Sequence, residues 1–236
     1  MLNKIKNLTP FIIAFCVIEG VLGYFIQTTT GVSCSIFSIS SIILAFLFCL
    51  FLFKKDLAHK LTVFALLFTL FADFFLCGLV DFPLIRELAM CFFVGAQTCY
   101  FLRILSFQTK KERKIHIIVR IFLSLFAVIL TAVVLKENAN FLSLISLFYY
   151  ANLIVNVIFS FIQFKISPFF AIGLLLFSCC DVFVGLNMME DFLFIPDGSI
   201  IHLINDINLN MAWLFYVPSQ TILALSTMKI SHNKEN

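Results

Sequence analysis

The sequence predicts an all-α integral membrane protein: one polytopic domain, residues 1–236, folded as a bundle of about eight transmembrane helices. Three observations predict it. Apolar residues make up 62% of the chain and charged residues 12%, with a mean hydropathy of +1.08, a balance that water-soluble domains do not keep. The apolar residues fall into stretches of about 20, each enough to cross a ~30 Å hydrocarbon core. The charges collect in short connections between those stretches, so the net charge of +3 leaves no nucleic-acid footprint, and the lipid bilayer is the expected partner.

The stretches run near 8–26, 34–53, 61–80, 88–107, 117–135, 141–163, 169–188 and 209–228. The first follows Lys4 and Lys6 as a signal peptide would, but it is long and has no small-residue cleavage site, so it reads as an uncleaved first helix. Connections are short apart from 189–208, and no Gly/Ser linker or shift in composition divides the chain. Eight spans place 14 Lys and Arg residues on one side and only Arg86 and Lys136 on the other. Because basic loops stay in the cytoplasm, this predicts a multi-pass cell-membrane protein with both termini cytoplasmic. Acidic residues Asp81, Glu87, Glu137, Glu190, Asp191, Asp197 and Asp206 lean to the opposite side.

The third and seventh stretches echo each other. Leu66, Leu67 and Asp73-x-Phe75 line up with Leu174, Leu175 and Asp181-x-Phe183, the relation that a parallel 4+4 repeat produces.

All eight cysteines (Cys16, Cys34, Cys49, Cys77, Cys91, Cys99, Cys179 and Cys180) lie in apolar stretches with no metal-ligand spacing, so they read as packing residues. No metal or cofactor is expected.

Three carboxylates lie within the spans: Glu19, Asp73 and Asp181. A charge at mid-bilayer costs at least ~2.5 to 3.5 kcal/mol, so such groups face a polar interior and serve a purpose. Asp73 and Asp181 lie eight and nine residues before Asp81 and Glu190, which sets both at a similar depth, ~12 to 14 Å below one boundary. Gln97 and Tyr100, Asn152 with Tyr149 and Asn156, and Tyr216 with Trp213 and Gln220 supply further polar groups from three other helices. Amides and hydroxyls in a bundle are often simple interhelical hydrogen bonds, worth ~0.6 kcal/mol each, but no Lys or Arg stands at the depth of the two aspartates to neutralise them. Arg103 and Arg120 sit near the basic ends of their helices, where snorkelling to the interface is expected; Arg103 also shares a face with Gln97 and Tyr100 and is a candidate phosphate holder. Two carboxyls in a cation-free pocket titrate as a pair, one keeping a proton while the other is ionised, as general acid–base catalysis requires.

Leu66-Leu67-Phe68-Thr69-Leu70-Phe71-Ala72-Asp73, Gly95-Ala96-Gln97-x-x-Tyr100, Gly173-x-x-Leu176-Phe177-Ser178-x-x-Asp181 and Tyr216-x-x-Ser219-Gln220 together resemble the YhhN-type lysoplasmalogenase family. The resemblance runs through about two-thirds of the chain, in motifs that are individually short. Ala72 stands where that family usually has glycine and Gln97 where it usually has histidine, and the Lys-Pro pair before the second helix is absent. The resemblance implies an ether-bond hydrolase that cleaves the vinyl ether of a lysophospholipid substrate, a lysoplasmalogen, releasing a fatty aldehyde. It would use Asp73 and Asp181 as acid and base, with Gln97, Tyr100, Tyr216, Gln220, Asn152, Glu19 and Arg103 binding or positioning. The competing reading is a small proton-coupled transporter relaying protons through Asp73 and Asp181, which a break in the last helix at Pro218 would favour. An intramembrane aspartyl protease also needs two aspartates, but its Tyr-Asp and Gly-x-Gly-Asp signatures are missing.

Overall fold

A computed structural model describes residues 8–52, 56–196, 198–205, 207 and 209–228, with backbone alone at Glu190, Ile200, Leu203 and Asn205. Lys4, Lys6, Lys54, Lys55, Lys229, Lys234, Asp197 and Asp206 lie outside those residues. The main helices are α1 (Thr9–Thr28), α2 (Gly31–Phe51), α3 (Leu57–Leu76), α4 (Ile85–Ser106), α5 (Lys110–Leu135), α6 (Phe141–Ile162), α7 (Pro168–Met188) and α8 (Met211–Leu225). A short helix, Ile200–Asn205, lies in the α7–α8 connection. Among the described residues there is no strand, and α1 to α7 are long and apolar enough to span a membrane.

Local chemistry sets the ends. Asp56 caps α3 by accepting from the His59 backbone N–H at 2.8 Å. Thr109 and Glu112 form a reciprocal capping box that starts α5 seven residues before the expected 117, so that its first turns carry Lys110, Lys111, Arg113 and Lys114 beyond the apolar stretch. Asn140 caps α6 through the Ser143 N–H, 2.8 Å away, and Pro168 begins α7, where a missing N–H costs nothing.

The last helix departs from expectation. It has 15 residues, ~22 Å at 1.5 Å per residue, not the twenty or so expected over 209–228. It begins at the Asn210 cap and ends where Ser226 and Thr227 turn their hydroxyls onto the carbonyls of Leu223 (2.6 Å) and Ala224 (2.8 Å), in competition with the helical ladder. A short helix is tolerated because α8 packs against α1, α2, α3 and α7, and its polar end at Ser226 and Thr227 is buried in protein and need not reach the lipid interface. Its interior residue Pro218 does not break it.

Side-chain bonds define two ends of the bundle. At one, Gln27 and Asn210 exchange two bonds (2.9 and 2.8 Å), and Arg86 pairs with Asp191 at 3.1 Å. At the other, Arg103 ties α3, α4, the start of α7 and the end of α8 together. The second end is the basic one.

Buried positions repeat between α1–α4 and α5–α8. In α4 and α8 the pairs Ala89/Ala212, Phe93/Tyr216, Ala96/Ser219, Gln97/Gln220 and Arg103/Ser226 share one register and are all buried. In α2 and α6 the same holds for Ser41/Asn152, Ile42/Leu153, Ala45/Asn156 and Phe48/Phe159, and in α3 and α7 for Leu66/Leu174 and Ala72/Cys180. The closest-packed pairs, α3 with α4 and α7 with α8, correspond as well. The bundle therefore has the arrangement of a parallel 4+4 repeat. Helix approach depends on small residues: a Cβ added at Gly173 of α7 would lie 2.8 Å from Leu223 Cγ of α8, and Ser219 donates to the Gly173 carbonyl at 2.9 Å.

Candidate active site

Asp73 is near the end of α3 and Asp181 two-thirds along α7, corresponding places in the two halves. Asp73 is buried, 5% exposed, and accepts a hydrogen bond from the Tyr216 hydroxyl of α8 at 2.5 Å. Asp181 is partly buried and accepts one from the Tyr149 hydroxyl of α6 at 2.6 Å. The carboxyls are near enough for their charges to act on each other, and the Cys180 thiol lies within range of both. Phe177 packs edge-on against Tyr216, with ring centres 5.4 Å apart, and against Phe93 at 6.1 Å. Four helices thus bring two carboxyls and two phenols to one layer. Among the described residues no Lys or Arg pairs with either aspartate.

One helical turn towards the basic end lies a layer of amides. Gln97 and Gln220, which occupy equivalent places in α4 and α8, are 1% and 0% exposed. Asn156 donates to the Gln97 side-chain and main-chain oxygens at 2.8 and 3.0 Å, leaving Gln97 Nε2 without a partner; both side-chain polar atoms of Gln220 are also without one. Tyr100, one turn further, has its hydroxyl by Thr69 and its ring edge-on to Phe170. These residues lie beneath the aspartates as second neighbours.

Three expected site residues lie elsewhere. Glu19 sits in α1, accepts from Ser41 of α2 at 2.5 Å, and leaves Oε1 unpartnered. Asn152 accepts from Arg120 at 2.5 Å and donates to Ser124 at 3.1 Å. Arg103 lies ten to eleven residues along α8 and α3 from the Tyr216–Asp73 pair, judged by its bonds to Ser226 and Thr62, or ~15 Å in helical rise. A glycerophospholipid phosphate lies only a few bonds from its sn-1 ether, so Arg103 cannot hold the phosphate of a substrate whose ether is at the aspartates.

Neither arginine snorkels as expected. Arg103 is 3% exposed and donates to Thr62, Ser167 and Ser226 with Phe170 4.0 Å from its centre. Arg120 turns inward to the side-chain oxygens of Asn152 and Asn156, over the Phe101 ring. A side chain long enough to reach water can equally fold inward onto hydroxyls and amides when neighbouring helices offer them on their inner faces. The sequence places Tyr149 among the polar groups at this depth but assigns it no role in the site. The signal was present, since Tyr149, Asn152 and Asn156 share the inner face of α6.

Residues 34–227 match the YhhN family. The chain belongs to that family. The match takes in the polar and carboxylate positions from Asp73 to Gln220 described above, and it begins after Glu19. Comparison with curated proteins and with solved structures returns no match.

Proposed function

We propose that this YhhN-family chain is an intramembrane hydrolase of the vinyl ether bond of lysoplasmalogens, with its basic end in the cytoplasm. The observation that supports this reading best is the pair Asp73–Tyr216 and Asp181–Tyr149, facing each other in one layer without a counter-cation among the described residues.

A vinyl ether R–CH=CH–O–R′ needs a proton on its β-carbon, an anion beside the oxocarbenium ion that this creates, and a water. One carboxyl delivers the proton to the β-carbon. The neighbouring carboxylate stabilises the cation and takes a proton from the water that adds to the α-carbon. In the collapse of the resulting hemiacetal the first carboxylate takes the hydroxyl proton and the second carboxyl gives its proton to the departing oxygen, releasing R–CH2–CHO and HO–R′ and restoring both groups. Tyr149 and Tyr216 fix the carboxyl orientations, and Gln97 and Gln220 offer free amide donors one turn below for the water. Against a carrier stands the unbroken course of α8 through Pro218.

Incubating the detergent-purified protein with a lysoplasmalogen should release fatty aldehyde, and Asp73→Asn or Asp181→Asn should each lower turnover at least ~10²-fold while leaving the protein monodisperse. Folded wild-type protein that releases no aldehyde would refute the reading.

A further inference from the structure

Above the aspartates, away from the basic end, the inner faces of two helices lose their cover. In α7 the buried stripe of Leu174, Phe177 and Ser178 continues through Asp181 to Val184 and Gly185, and in α3 the stripe of Leu66, Thr69 and Asp73 continues to Leu76. Residues at those places are buried wherever a bundle closes over them. Leu76, Val184 and Gly185 are instead exposed, and a Cβ added at Gly185 would meet nothing within 4 Å. The aspartate layer is therefore the floor of a mouth that opens at the end opposite Arg103.

Arg86 stands over that mouth. It precedes Ala89 by three residues and Phe93 by seven, and both of those are buried on the inner face of α4, so Arg86 shares their face. Its side chain is nevertheless 52% exposed. Phe93 belongs to the aspartate layer through its ring contacts with Tyr149 and Phe177, which puts the Arg86 backbone ~10 Å above that layer. Among the described residues the guanidinium has one ion-pair contact, Nη1 with Asp191 Oδ2 at 3.1 Å, from the connection after α7. An exposed pair with a single contact is weak, and a phosphate that takes two guanidinium donors at once is the stronger partner. Arg103, by contrast, is locked by four bonds at the far end. Lys136, the other basic residue of this end, follows α5, which packs on α6 at the edge of the bundle.

We propose that Arg86 is the phosphate-binding residue of this site, an inference that rests on the hydrolase reading above and adds the side from which the lysophospholipid enters. The ether lies on the floor between Asp73 and Asp181, and the glycerol carries the phosphate upward into the mouth. Arg86 reaches down from the rim, exchanging Asp191 for the phosphate oxygens. The glycerol and the side chain together close the gap between rim and floor.

The test is steady-state aldehyde release by folded, detergent-purified wild type, Arg86→Gln and Asp191→Asn, from a lysoplasmalogen and from the 1-alkenylglycerol that lacks its phosphate. With the lysoplasmalogen, Arg86→Gln should raise KM about 10- to 100-fold and change kcat by less than about threefold, the pattern of lost ground-state binding. Asp191→Asn breaks the same ion pair but leaves the cation, so its KM should stay at or below that of wild type. With the phosphate-free substrate, wild type and Arg86→Gln should share one KM, because neither has a phosphate to hold. An unchanged KM for lysoplasmalogen in Arg86→Gln, an equal rise in Arg86→Gln and Asp191→Asn, or an equal rise with both substrates overturns the proposal and leaves the hydrolase reading standing. Folded wild type that releases no aldehyde from either substrate overturns both.

Discussion

The two halves of the bundle share a scaffold and differ in what fills it. In α5–α8, Asn156 stands between Arg120 and Gln97 and gives each a partner. In α1–α4 the corresponding position is Ala45, and Gln220, the counterpart of Gln97, is left with both amide atoms free. The same position of α1 and α5 carries Glu19 and Ser124, each bonded to the equivalent residue of the next helix, Ser41 and Asn152. Apolar burial is kept between the halves while the polar groups diverge. A repeated apolar register is what packing demands of both halves, and it is satisfied by many sequences; the polar substitutions on it are where one half has been fitted to a task the other lacks.

That comparison can be broken by experiment. Asn156→Ala makes the second half resemble the first, and it should be the most damaging change because it takes the partner of one Arg120 nitrogen and of the buried Gln97 oxygen together, leaving Arg120 only Asn152 among its amide partners: a loss of at least ~1 to 3 kcal/mol, read as a lower melting temperature in detergent. Gly173→Ala tests the packing that the halves share. Its Cβ would press on Leu223 at 2.8 Å, costing about 1 to 3 kcal/mol, while Gly185→Ala, with nothing within 4 Å, should be close to neutral and serves as control. The smallest expected effect comes from Ala45→Asn, which supplies the missing partner to Gln220: a gain of ~0.6 kcal/mol if the halves correspond as described, and a drop in melting temperature if they do not.

The helices were legible because lipid demands long apolar runs, and Asp73 and Asp181 were legible because the same solvent makes a carboxyl conspicuous. The α3–α7 echo was visible in the sequence, but its extension to α2/α6 and α4/α8 needed the burial of Ser41 and Asn152 or Phe93 and Tyr216, pairs that share a position without sharing chemistry. Hydropathy measures composition along the chain and cannot tell which neighbour a side chain meets. The length of α8, the inward turn of Arg103 and Arg120, and the bond from Tyr149 to Asp181 all depend on such neighbours, so each emerged only with the fold.

The central claim is that the aspartates of the two halves act as one catalytic unit. It is tested most directly by measuring aldehyde release from lysoplasmalogen by wild type, Asp73→Asn, Asp181→Asn and the double variant, each shown to be folded by size-exclusion chromatography. Groups that work together fail together, so the double variant should be no more than about tenfold slower than the slower single one, with each single at least ~10²-fold below wild type. Aldehyde release near the wild-type rate from the double variant, or a double loss equal to the product of the two single losses, would contradict the account.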